Sequence, residues 1–313
     1  MRSAPNVALS TLSEQIEDCP EMFIFNTLPF YQLHKDTNAT YLYIYHNSRP
    51  VGAFQYAIDD INEARSPRRG TFGGIQLFST DIFVIQEVIR QIEDRLKSER
   101  VQHIEILEIP AIYEPHVSPL KFASYTRAGF RLKYADIHFA IEVGDHSLNE
   151  RMARNNRKRF RKGLRNNYVF RQLSMEEFGL AYDVVLRNRE HKGWKLSMAQ
   201  SELIAMEARI PNSLRAFYLT LPSGEPVAAA ICVVLNKSVL YVLYWGDIPG
   251  NESESPVVYL ADAIYKYCQQ NKYKYLDLGT SSVEGSPMNG LIEFKLGLGA
   301  IPNLKATCEN KLR

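Results

Sequence analysis

A chain of 313 residues, 45% apolar and 23% charged, has the composition of an ordinary globular protein and the length of two domains. No apolar run approaches the ~20 residues a bilayer-spanning helix needs, so no membrane span is expected. The net charge of +2 is not a general basic coat: residues 151–165 hold eight cations and no acid, and taking those eight away leaves −6.

Cys19, Cys232, Cys268 and Cys308 form no C-x-x-C pair, and Cys232 sits in the apolar run "VAAAICVVL" as a buried free thiol. This pattern predicts a reducing compartment and no disulfide framework. The seven histidines lack paired spacing, so no metal is expected. The N-terminus lacks the long apolar core of a secretory signal, and a cytoplasmic protein is the expectation.

In chain order, "YLYIYHNSRPVGAFQYAI" predicts two strands around a turn. "TDIFVIQEVIRQIEDRLKSER" follows with apolar residues at helical spacing and Thr80 or Asp81 as cap. It leads into the strand "HIEILEI" and then "SYTRAGF". "GDHS" at 144–147 marks a domain boundary, giving domains 1–147 and 148–313. The second opens on "LNERMARNNRKRFRKGLRN", where Met152, Asn156, Phe160 and Leu164 form an i, i+4 stripe. Two further helical stretches follow, "MEEFGLAYDVVLRNREHKGW" and "SMAQSELIAMEARI".

The plan then repeats. "AFYLTLPSGEPVAAAICVVL" gives a second strand pair, and "SPVVYLADAIYKYCQQN" a second helix with Ser255 as N-cap and Pro256 at its first position. "KYLDLGT" gives the strand after it. From Pro50 to Glu105 is 55 residues and from Pro226 to Asp277 is 51, a match that argues for two copies of one α/β unit. After "YLDLG" comes a loop of small polar residues and a short helix ending in "GLGA". Small residues let a ligand approach the backbone closely, and the helix start offers free N–H groups; a merely solvated loop is the alternative.

Tyr125-Thr126-Arg127-Ala128-Gly129-Phe130 resembles the Y-x-x-x-G-F ending of the GNAT acyltransferase core. Leu276-Asp277-Leu278-Gly279 through Phe294-Lys295-Leu296-Gly297-Leu298-Gly299 resembles the second-domain signature of the tandem GNAT-like proteins related to FemABX, and the 154–163 run is similar to the basic helix opening that domain. The resemblance implies two tandem GNAT-like α/β domains, each a twisted mixed sheet with a central splay flanked by helices. It implies an N-acyltransferase moving an acetyl or aminoacyl group from a thioester or ester donor to an amine by direct attack. The donor is then acyl-CoA, such as acetyl-CoA, or aminoacyl-tRNA. The acceptor is a small-molecule or peptide amine, tRNA is among the implied partners, and sequence-specific DNA binding is not.

Lys295 matches the family's lysine and would hold a phosphate or oxyanion; a surface lysine is the alternative. Asp277 is a candidate base, or a solvent-facing strand residue. Tyr125 resembles the tyrosine that protonates a leaving thiolate, or is a phenol packed at a helix–sheet junction. Ser281, Ser282, Asn289 and Gly290 are expected to bind the donor. Arg157, Arg161 and Arg165 are expected on an acceptor or phosphate, with Trp194, Tyr244 and Trp245 lining an acceptor pocket; core packing is the alternative for the aromatics. Eight cations in 15 residues repel one another, so the basic helix reads as a phosphate, tRNA or acidic-acceptor surface, or else as a solvated face. The phosphate-cradling loop usual in acyl-CoA-dependent members is missing: residues 68–74 have the right residue types out of register, and 247–254 is acidic. A second reading is therefore a catalytically degenerate GNAT-like module that binds an anionic partner through 151–165.

Overall fold

The computed structural model describes residues 4–11, 21–33 and 38–312. Cys19 lies outside them. Cys232, Cys268 and Cys308 are buried free thiols. Among the described residues no helix is long and apolar enough to cross a membrane.

The chain forms two compact units. One takes residues 1–138, 282–286 and 303–313, the other 139–281 and 287–302. The division is thus discontinuous, not one cut between 147 and 148, because the last strand returns to the first unit.

In the first unit, β1 (Val7–Ser10), α1 (Leu28–Leu33), β2 (Ala39–His46), β3 (Arg49–Ile58), β4 (Glu63–Ser66) and β5 (Gln76–Leu77) precede α2 (Ile82–Ser98). Helix α2 starts where Phe83 N–H donates to Asp81 Oδ1 at 2.9 Å, and it buries Val84, Ile85, Val88, Ile89, Ile92 and Leu96. Strand β6 (His103–Leu107), helix α3 (Ser118–Arg127) and strand β7 (Arg131–Glu142) follow, the last running on into the second unit. Strands β2 and β3 are antiparallel, whereas β4 and β6 are parallel.

Beneath α3 lies a buried ionic cluster. Lys121 Nζ stands 2.6 Å from Glu108 Oε2 and 2.8 Å from Glu114 Oε2, and donates to the Ile75 carbonyl at 3.0 Å. Tyr125 O–H donates to Glu108 Oε1 at 2.6 Å. Lys121 and Glu108 are each 1% exposed, so these charges are screened only by one another. The two carboxylates push Lys121 above its ordinary lysine value despite burial.

The second unit contains α4 (Leu148–Arg151), α5 (Arg154–Arg165), β8 (Val169–Leu173), α6 (Phe178–His191), α7 (Gln200–Arg209), β9 (Leu214–Thr220), β10 (Pro226–Asn236) and β11 (Val239–Asp247). Next come α8 (Pro256–Gln270), β12 (Tyr275–Thr280), a small β13 (Ser282–Val283) and β14 (Ser286–Pro287) pair, α9 (Asn289–Gly297) and β15 (Ile301–Lys311). Strands β8 to β11 form an antiparallel run, and β12 joins β11 in parallel. Each unit therefore follows an antiparallel strand set with a helix and a parallel strand, the repeated plan expected from sequence.

Two local details differ from expectation. The buried face of α5 is Asn156, Phe160 and Gly163, while Leu164 is 49% exposed and Met152 ends α4. A 3.6-residue period drifts off a strict i+4 stripe, and glycine at 163 lets the Tyr259 ring approach: a Cβ there would meet it at 3.0 Å. Ser255 precedes Pro256 as expected, but its side chain makes no cap; it has φ +50 and its hydroxyl donates to the Glu252 carbonyl at 3.3 Å.

Candidate active site

The site begins where two strands part. Strands β11 and β12 pair at Val239–Tyr275, Leu240–Leu276 and Tyr241–Asp277, and the register ends there. Beyond it β11 stays paired with β10 as far as Asp247–Ala228. Val242, Leu243 and Trp245 on one side, and Leu278, Gly279 and Thr280 on the other, wall a cleft of about 1050 Å³. Parted strands leave backbone groups for a ligand amide to pair with.

Gly279 turns β12 away at φ +71, and its N–H donates to Asp277 Oδ1 at 2.7 Å. This exposes the Gly279 and Thr280 carbonyls to Lys295 Nζ, which donates to them at 3.0 and 2.8 Å from the far end of α9. Lys295 is 2% exposed. Burial lowers its pKa to about 7, against the opposing pull of Asp277. A neutral amine has two N–H groups, and both carbonyls are satisfied by them. The protonated form has a third, free for a developing oxyanion.

Other walls come from three helices: Asn289, Gly290 and Phe294 of α9, Glu252 and Ser255 before α8, and Arg159 of α5. The end of α6 and the residues after it supply Arg189, Lys192, Trp194 and Lys195. Helix α6 lies close on β11 because Gly246 has no side chain. Asn188 Nδ2 donates at 2.8 Å to both the carbonyl and Oδ1 of Asp247, and a Cβ on Gly246 would sit 2.5 Å from Asn188 Cγ. Gly246→Ala is expected to cost about 1–3 kcal/mol, read from the urea midpoint, because an overpacked site must shift backbone; an unchanged midpoint would show that α6 yields freely.

Against solved structures, the chain matches FemX with a TM-score of 0.74 at 12% identity, covering 97% of both chains. It matches L-PGS from Bacillus licheniformis at 0.58 and 13%, covering 84% of this chain and 82% of that one. A tandem GNAT protein from the clavulanic acid biosynthesis pathway matches at 0.51 and 10%, with 88% and 83% covered. The fold is GNAT-like, the fold seen in FemX and in the tandem GNAT protein. No family model and no curated sequence matches the chain.

Within this GNAT-like fold the expected site residues separate into two groups. Lys295, Asn289, Gly290, Trp194 and Trp245 line the cleft, and Trp245 packs edge-on against Phe294 at 5.9 Å. Asp277 sits buried behind it, bonded to Gly279. Ser281 is buried at the end of β12, its carbonyl accepting from Met288 N–H at 2.9 Å.

The others are engaged elsewhere. Ser282 belongs to the first unit, where its hydroxyl donates to Asp136 Oδ1 at 2.7 Å and accepts from Ile137 N–H. Tyr125 is also in the first unit, its hydroxyl on Glu108; burial and that carboxylate push the phenol well above its ordinary range. Tyr244 faces away from the cleft, its hydroxyl 2.5 Å from Ser197 Oγ and accepting from Met198 N–H. Arg157 closes α4, donating to the carbonyls of Asn149, Glu150 and Met152. Arg161 and Arg165 are exposed on α5 and do not line the cleft.

Sequence reasoning missed Arg159, Arg189, Lys192 and Tyr241. A signal for Arg189 existed in "RNREHKGWK". Gly193, at φ +69, ends α6 in a Schellman turn: Gly193 N–H donates to Glu190 O and Trp194 N–H to Arg189 O. That turn folds Trp194 back over Arg189.

Proposed function

We propose that the second unit is an N-acyltransferase in which an amine attacks a donor carbonyl held between β11 and β12. The observation that carries this reading is the parting of those strands beside buried, carbonyl-bound Lys295. The amine adds to the carbonyl carbon, the oxyanion meets the third N–H of protonated Lys295, and collapse expels a thiolate or a ribose alkoxide that takes up the amine's proton. An aminoacyl ester donor, as on aminoacyl-tRNA, fits better than acetyl-CoA. The turn before α8 carries Glu252 and Glu254, and Pro256 removes an N–H where a pyrophosphate would want one. The test is transfer to a panel of amines from aminoacyl-tRNA and from acetyl-CoA, read by product mass. Product from neither donor, with acceptors spanning amino acids, peptides and amino sugars, would remove the transferase reading.

A second reading, a module that holds an anionic partner, draws on α5. Arg151, Arg157 and Lys162 are tied to the protein, Lys162 by Glu254 at 2.7 Å. Arg154, Lys158, Arg161 and Arg165 remain exposed. At 100° per residue they fall within an arc of about 60°, opposite the buried face. Replacing these four with Gln should weaken tRNA binding and flatten the slope of log K against log salt by about 3. An unchanged slope would return α5 to a solvated face.

A further inference from the structure

At the α6 end of the cleft stands a cation, Arg189, that forms no ion pair among the described residues. Arg189 is half-buried; its Nε is closed off from solvent and meets no acceptor among the described residues. Its guanidinium lies 5.3 Å from the centre of the Trp194 ring. Burial pulls Arg189 below the ordinary guanidinium range. A desolvated guanidinium is costly until an oxyanion forks onto it. Lys192 is placed differently: it lies 5.7 Å from the same ring, and the acids Asp247 and Glu252 feel its charge. The cleft thus lines up Arg159, Arg189, Lys192, Lys195 and Lys295 against two acids. Trp194 carries Arg189 and Lys192 over its ring and still stays 50% exposed at the edge of this cleft.

We propose that Arg189 and Trp194 form a subsite for an oxyanion, phosphate or carboxylate, carried on a planar group that stacks on the indole. This rests on the transferase reading of the cleft and names the class of substrate it takes. Arg189 supplies two parallel N–H donors to the anion, Lys192 and Lys195 add long-range attraction, and the ring of the ligand covers Trp194.

Both tryptophans of the chain, Trp194 and Trp245, line this cleft, so intrinsic fluorescence reads it directly. The full chain is titrated with AMP, benzoate, adenosine and inorganic phosphate. A saturable change is expected with AMP or benzoate, with adenosine about 10-fold weaker or more, because the charge-assisted bonds are lost. AMP binding above benzoate assigns a phosphate, and the reverse a carboxylate. Arg189→Gln should weaken the anions by about 10-fold or more without changing adenosine, and Arg189→Lys should recover part of the loss. Circular dichroism of both variants checks the fold. The subsite is overturned if Arg189→Gln binds the anions like the parent, if adenosine binds as tightly as AMP, or if neither ring-bearing anion alters the fluorescence. Lys295→Ala should keep anion binding. Loss of the subsite with Lys295-dependent turnover intact would therefore leave the transferase reading standing.

Discussion

Lys295→Ala should lower turnover about 10²-fold or more while leaving the fold in place, the usual size of effect when a preorganised oxyanion donor is removed. The expectation is specific because Lys295 is fixed by two backbone carbonyls and not by a mobile partner. Its pKa of about 7, below the usual 10.5, also sets a pH signature. If the protonated form does the work, the rate falls as pH rises through about 7; a rate that climbs there would make the neutral amine a base instead. Stability moves the other way. The fold disfavours the cation, so the cost is full below pH 7 and fades as pH rises toward 10.5. The parent should therefore gain stability relative to Lys295→Met across that interval, measured as urea midpoints. Full turnover by Lys295→Ala would remove the chemistry from this cleft.

The largest expected loss of stability lies in the first unit. Lys121→Met should cost about 3–5 kcal/mol, because it leaves Glu108 and Glu114 buried without a cation. Burial already raises Glu114 above the usual carboxylate range even with Lys121 beside it. Tyr125→Phe removes a single hydrogen bond from Glu108 and should cost about 1–2 kcal/mol, with turnover close to that of the parent. Denaturant midpoints at one pH decide both. A Lys121→Met midpoint equal to the parent's would mean the carboxylates take up protons at little cost.

Much of the fold was legible because it is written locally. The apolar period of α2, the Asp81 cap, the proline opening α8 and the β12 strand with its Gly279 turn all show in short stretches. Lys295 and the 289–290 helix start were legible for the same reason. The misses are long-range. Ser282 is claimed by Asp136, 146 residues earlier, and Tyr125 by Glu108 across a strand–helix junction. No local spacing announces such partners. The basic helix was legible as a charge run, but not which cations fold inward: that depended on the α4 carbonyls and on Glu254.

The return of β15 to the first unit bears on how the chain is made. Residues 307–311 pair with 103–107, Glu108 N–H donates to the Ala306 carbonyl, and Ala306 and Cys308 enter the first core. During synthesis from the N-terminus, the first unit stands with an open strand edge beside β6 until some 200 further residues have emerged. An open edge invites pairing with other chains, and closing so long a loop is slow. The N-terminal unit therefore cannot mature ahead of the C-terminal one, and a nascent chain stalled before residue 303 exposes β6 as a sticky surface.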